Sequence, residues 1–369
     1  MSNGRLTSSD NDGIGIAKFI QGNNFFITGA TGFLGKVLVE KILRSTPNVG
    51  KIFLLVRGKD KEEAMARVKN EIVDVALFKS LKETHGNLFE EFITSKLIPV
   101  VGNVGEPNLG LDTLTTRGIT EIYISRYDVL LNTNAKGPAI VLEFAKKCKK
   151  LKLLLHVSTV YVNGERPGVI LEKPLCWEER TPGKASLLDV DSEMKLALDI
   201  VEAYDGRERI QKLKELGRRR MRGNIPVVIV RPPNIGSTYE QPFPGWIEGL
   251  RVVDPILCSY GQGQLPGFAA DPNTVLDIVP GDMVVNAIIA IMAKHGTTTT
   301  TQLYLPYTFI KARFDMENIK NLMREMSVVE MNDFGFDVES IDWENYFKRI
   351  HLPGLRRHAL KEPPARARL

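Results

Sequence analysis

NNFFITGATGFLGKVLVEKILR, residues 23–44, decides the fold. Asn23 to Thr28 is β-rich, Gly29-Ala30-Thr31-Gly32 interrupts it, and from Phe33 to Leu43 apolar residues recur at helical spacing. A second β-rich run, Lys51 to Val56, follows. Strand, glycine-rich turn, helix and strand within about thirty residues form the context a dinucleotide fingerprint demands. Gly29 permits the tight turn, Gly32 lets backbone N–H groups approach a pyrophosphate, and Gly35 lets the helix lie close to the strand. The helix then presents its positive end to the phosphates. Gly29, Thr31, Gly32, Phe33, Leu34 and Gly35 are therefore the cofactor-binding candidates of this turn. At the end of the second strand an acidic residue would accept from ribose hydroxyls, whereas Arg57 donates to a 2′-phosphate, which favours NADPH over NADH.

The expected class is α/β, a doubly wound Rossmann-type parallel sheet. A third strand is expected over Leu97–Val101, ending at Gly102 and Asn103; the Gly-x-x-Gly-x-x-Gly turn resembles that of the short-chain dehydrogenase/reductase superfamily, which often has Gly-Asp beside the adenine here, and this likeness implies Asn103 as a candidate partner of the adenine. Helical periodicity covers Ala135–Lys150, and the strand Lys152–Val157 ends in Ser158 and Thr159. A further strand, Pro226–Val230, runs into Arg231 and Pro232. The sheet also needs a buried fourth strand before residue 135, and only Glu121-Ile-Tyr-Ile-Ser125 is offered for it. VVNAIIAIMA, 284–293, is about half of what a membrane span requires, so it reads as a buried helix.

Composition narrows the function classes. The chain has 369 residues, 43% of them hydrophobic and 25% charged, which is ordinary globular material. A formal charge of +5, with both signs interspersed, argues for an anionic small ligand and against a nucleic-acid partner. Cys148, Cys176 and Cys258 lie far apart without metal-ligand spacing, so neither a metal site nor a disulfide framework is expected. No secretion signal opens the chain, which points to an intracellular protein, cytoplasmic or peripheral to an internal membrane. Residues 1–20 are expected to be a flexible lead, 21–296 the Rossmann-type NADP-binding and substrate region, 297–305 a linker carrying five threonines, and 306–369 a C-terminal remnant.

Five stretches, in this order, resemble the plant fatty acyl-CoA reductases, which are extended short-chain reductases with a small helical C-terminal domain. They are NNFFITGATGFLGKVLVEKILR, KIFLLVRGKDKE, LHVSTVYVNGERPGVILEKPL, IPVVIVRPPNIGSTYEQPFPGWIEGLR and FDVESIDWENYFKRIHLPGL. The resemblance implies NADPH-dependent reduction of a long-chain acyl-CoA to an aldehyde and then a primary alcohol, with release of CoA. It assigns Thr159, with Ser158 beside it, as a catalytic donor to the carbonyl oxygen, and Arg231 and Pro232 to the turn over the nicotinamide half. A nucleotide-sugar epimerase fits the cofactor half but not PFPGWIEG or the C-terminal stretch.

The resemblance breaks at the acid. The family places a Tyr-x-x-x-Lys pair between Thr159 and Pro226, where Tyr161 and Tyr204 are followed four residues on by Glu165 and Glu208. The pattern occurs at Tyr307–Lys311, beyond the Rossmann unit, and the basic run Arg218–Arg222 stands where the family's longer segment would be. The alternative expectation is thus a shortened, non-catalytic chain that binds NADP(H) without protonating a carbonyl.

Overall fold

The computed structural model describes residues 13–111, 123–125, 137–148, 151–160, 168–170, 227–251, 253–267, 276–296, 304–305, 312–314 and 316–362. Numbered along the chain, the strands are β1 Phe25–Thr28, β2 Ile52–Val56, β3 Leu97–Val101, β4 Tyr123–Ser125, β5 Leu153–Val157, β6 Gly168–Ile170, β7 Val227–Val230, β8 Asn234–Gly236, β9 Ile278–Pro280, β10 Tyr304–Leu305 and β11 Ala312–Phe314. Seven of them form one sheet in the order β10-β7-β5-β4-β1-β2-β3, every pair parallel. Two small parallel pairs, β8 with β9 and β6 with β11, stand beside it. The helices used below are α1 Ile16–Ile20, α2 Phe33–Ser45, α3 Lys61–Arg67, α4 Lys79–His85, α5 Phe89–Lys96, α6 Gly137–Lys147, α7 Asp254–Gly261, α8 Gly281–Gly296, α9 Glu317–Glu325 and α10 Val328–Phe334; a final helical run covers 343–359.

Successive side chains of a strand face opposite sides, and the sheet buries both. Phe25 and Ile27 of β1 join a core with α2 and α8, while Phe26 joins a second core with Phe144 of α6, ring centroids 5.8 Å apart. This is the doubly wound arrangement that the run 23–44 predicts. Helix α8 holds the stretch 284–293 and is buried on nearly every face, because α1, α2, β5 and α10 all pack against it.

The structure adds detail to the short elements. The fourth strand is present: Tyr123–Ser125 pairs with β1 on one side and β5 on the other, so two neighbours supply the backbone partners for a run too short to read as a strand. The expected linker 297–305 ends in β10, which pairs with β7 at the sheet edge. The lead expected over 1–20 includes α1, whose Ile16 and Ile20 are fully buried. Nor do the C-terminal helices form a separate core: Ile319, Leu322, Phe334, Tyr346 and Leu355 belong to the cluster that contains β1 and α2.

Helix α1 is held by Glu330 of α10. The N–H groups of Ile14, Gly15 and Ile16 donate to its carboxylate at 2.9, 2.7 and 2.8 Å, and the same carboxylate closes a capping box with Ser327. Burial pushes this carboxyl up, but the amides of Ile16, Ser327, Ile14 and Gly15 outweigh it and hold its pKa below the ordinary value. Its contribution is present above the unfolded carboxylate range and is lost as pH falls through the folded pKa. Glu330→Gln is therefore expected to cost about 2 kcal/mol at neutral pH. Urea melts across acid pH check this: the gap between wild type and variant should close on acidification.

Candidate functional site

Because the sheet is wholly parallel, the turns that follow β1, β2, β3, β5 and β7 open at one edge. The chain runs outward from β1 to β2 and β3 before crossing back to β4, which puts the topological switch point at the end of β1. The fold therefore gathers the predicted candidates along one crevice: Gly29 to Gly35, Arg57, Asn103, Ser158 and Thr159, Arg231 and Pro232.

The glycine turn fits a dinucleotide phosphate. Gly29 has φ +66°, a conformation that side chains avoid. The Gly32 amide donates to the Gly29 carbonyl at 3.0 Å, closing the turn. Gly32 caps α2 without any side-chain bond, which leaves first-turn N–H groups of α2 for an anion. At Gly35 a Cβ would stand 2.5 Å from the Gly29 carbonyl oxygen and 2.8 Å from Ala30 Cα, so helix and turn meet backbone to backbone.

Arg57 is exposed just beyond β2, and its carbonyl accepts from Arg67 at 2.7 Å. Asn103 is engaged in its own turn: its Oδ1 accepts from the Gly105 amide at 3.1 Å and its Nδ2 donates to Glu106 at 3.1 Å. Ser158 and Thr159, both half-buried, leave β5 with the Ser158 amide bonded to the Val230 carbonyl at 2.6 Å, so they stand next to the end of β7. There Arg231 is buried and lines a small apolar cleft with Pro232, Met283, Val284, Ile319 and Phe336. His156 of β5 has its pKa lowered to about 4 by burial and by the Arg231 charge, so this imidazole is neutral at physiological pH. Burial pushes the Cys148 thiol up to about 11 and makes it unreactive.

Sequence reading did not anticipate what braces the turn. Phe33, the first residue of α2, stacks on Trp246 with centroids 5.2 Å apart and planes at 16°. The Arg251 guanidinium lies 4.6 Å from the same ring, and Gly281 leaves room for it at the start of α8. Lys36, buried one turn into α2, pairs with Glu248. Trp246, Glu248 and Arg251 all belong to PFPGWIEGLR, a stretch that carried the resemblance without a role for any of its residues.

Among the described residues no cluster of His, Cys, Asp or Glu suits a metal ion, and no helix is long and apolar enough to cross a membrane. Tyr161, Tyr204, Tyr307, Lys311 and the basic run Arg218–Arg222 lie outside the described residues.

Comparisons with known proteins agree with this architecture. The NAD-binding family model described as male sterility protein matches residues 27–288, and the Sterile model of the same description matches 290–362. The part of the chain that carries the parallel sheet is thus a nicotinamide-cofactor-binding region. The chloroplastic fatty acyl-CoA reductase 2 of Arabidopsis thaliana is 38% identical over 494 residues, covering 95% of this chain and 80% of that protein. The alcohol-forming fatty acyl-CoA reductase of Simmondsia chinensis is 31% identical, covering 94% and 99%. Both alignments are longer than the chain's own 369 residues, so these relatives carry internal segments without a counterpart here. Among solved structures, the reductase domain of a nonribosomal peptide synthetase from Mycobacterium tuberculosis superposes with a TM-score of 0.51 at 20% identity, over 89% of this chain and 84% of that one, a likeness of fold alone. Matched by the family models along most of its length, the chain belongs to the male sterility protein family, among the plant fatty acyl-CoA reductases.

Proposed function

We propose that this chain reduces the thioester of a long-chain acyl-CoA with NADPH, releasing CoA and yielding an aldehyde and then a primary alcohol. The observation that carries the reading is the glycine turn: an uncapped helix start and a positive-φ Gly29 at the switch point, on a chain whose relatives are named fatty acyl-CoA reductases. Gly29, Thr31, Gly32, Phe33, Leu34 and Gly35 would hold the pyrophosphate, and Arg231 and Pro232 would close over the nicotinamide half. When bound, the cofactor supplies hydride. Thr159, with Ser158 beside it, donates to the oxygen that gains charge as the carbonyl is reduced, a contribution that depends on the donor being in place beforehand.

Exposed Arg57 supports NADPH as the dinucleotide. Arg57→Asp is expected to weaken NADPH binding about tenfold or more and to leave NADH binding equal or better, because a charge-assisted bond to the 2′-phosphate is exchanged for repulsion. Parallel titrations with both dinucleotides check it.

One observation favours a second reading, binding without turnover: no tyrosine between Thr159 and Pro226 has lysine four residues on. Loss of a general acid removes roughly 10²–10⁴-fold of rate. NADPH oxidation with hexadecanoyl-CoA, the product identified by mass, separates the two. Aldehyde or alcohol formation supports the reductase; cofactor binding with no product supports the second reading.

A further inference from the structure

The C-terminal stretch IHLPG has no role in the mechanism above, yet it carries a fully buried polar network. His351 is 0% exposed, Ser237 0% and Asp254 2%. The Ser237 amide donates to His351 Nδ1 at 3.2 Å, and Ser237 Oγ lies 3.1 Å from the same nitrogen. Since Nδ1 accepts, the ring proton sits on Nε2 and is donated to Asp254 Oδ1 at 3.0 Å. The hydroxyl of Tyr346 donates to the Ser237 carbonyl at 2.8 Å. The composition is that of a Ser-His-Asp triad, but a nucleophile with no exposed surface meets no substrate. The network has another output.

Two arms lead from His351 to the dinucleotide turn. Ser237 continues into Thr238, whose amide donates to the Trp246 carbonyl at 3.0 Å and whose Oγ1 accepts from the Trp246 amide at 2.9 Å. Asp254 accepts through Oδ2 from the Arg251 amide at 2.8 Å. Trp246 and Arg251 are the two groups laid on the Phe33 ring. The arms are locked together beside His351, where a Cβ on Gly354 would stand 2.7 Å from the Gly245 carbonyl carbon and 2.8 Å from its Cα. Thus the two late motifs, PFPGWIEG and IHLPG, touch main chain to main chain, and their joint product is the position of the first residue of α2.

We propose that His351 is a positioning residue for the dinucleotide: through Ser237 and Asp254 it keeps Trp246 and Arg251 on Phe33 and so aims the first-turn amides of α2 at the phosphates. This rests on the cofactor reading given above. It makes the C-terminal run part of the cofactor site, although that run lies more than three hundred residues from the glycine turn in sequence.

The test is NADP⁺ affinity of the full chain by titration, with the melting temperature of each protein measured without ligand. His351→Ala is expected to weaken NADP⁺ about tenfold. His351→Gln, whose amide accepts from Ser237 and donates to Asp254, is expected to recover most of that loss. Leu322→Ala, a core truncation on α9 away from the network, is expected to lower the melting temperature with affinity unchanged, which separates positioning from general destabilisation. If His351→Ala does not fold, Asp254→Asn, which serves Arg251 or His351 but not both, carries the test with an expected loss of about threefold. Wild-type affinity in His351→Ala or in Asp254→Asn overturns the inference, and so does a Leu322→Ala loss equal to that of His351→Ala. A wild-type chain that binds neither NADP⁺ nor NAD⁺ overturns the cofactor reading as well.

Discussion

Alanine at Gly35 is expected to reduce NADP⁺ affinity about 10²-fold, the scale of loss that follows a displacement of about 1 Å at a binding geometry. In an ordinary helix the exchange would help, since alanine exceeds glycine in helix propensity by about 1 kcal/mol. Here the new methyl meets the Gly29 carbonyl oxygen at 2.5 Å and Ala30 Cα at 2.8 Å. Both are backbone atoms of the turn itself, so they cannot swing aside as a side-chain end would. Relief comes by moving the turn away from α2, which spoils the aim of the amides. Overpacking of this kind costs about 1–3 kcal/mol, enough to cancel the propensity gain. Titration and urea melts on the same preparation read both effects. Unchanged affinity would mean that the turn does not carry the dinucleotide.

Asp282→Ala is expected to lower stability by about 3 kcal/mol. Asp282 opens α8, where a negative charge suits the helix dipole, and its carboxylate takes the amides of Tyr239, Glu240 and Gln241 at 2.8, 2.9 and 2.9 Å. Burial pushes this carboxyl above the ordinary range, and the amides of Gln241, Glu240 and Tyr239 pull against it. Alanine leaves three amide donors without their acceptor and releases residues 239–241, which lead directly into PFPGW. Asp282→Asn keeps one acceptor but turns an amide donor toward the others, so it should show a smaller loss of the same sign. Chemical denaturation of the three proteins measures the series. A loss under about 1 kcal/mol for alanine would mean that water replaces the carboxylate at little cost.

The reach of the sequence can be judged from particular residues. The strand 25–28 follows from its β-rich composition, the turn 29–32 from its glycines, and the helix from Phe33 from apolar residues three to four apart, a period that records which side of a helix is buried. The tasks of Gly29 and Gly35 were equally legible, because a missing side chain at that spacing has few other uses. Helix α1 was not, and of strand β4 only the thin run 121–125 was on offer. Three residues and five residues are too short to show a period, and each is held by partners supplied from elsewhere: β1 and β5 on either side of β4, and the Glu330 carboxylate at the start of α1.

What the sequence by itself determined is the class of fold and the strand, glycine turn and helix that open it, since each depends on neighbours within one βαβ unit. The tertiary structure alone decided that Asn103 is hydrogen-bonded within its own turn, that Trp246 and Arg251 rest on Phe33, that Lys36 pairs with Glu248, and that His351 closes on Ser237 and Asp254. In all but the first, the partners are separated by about a hundred residues or more, and no local spacing encodes which buried donor will find which acceptor. That choice is made only when the sheet, α2, α8 and the C-terminal run are packed into one core, where every polar group denied water must have a partner.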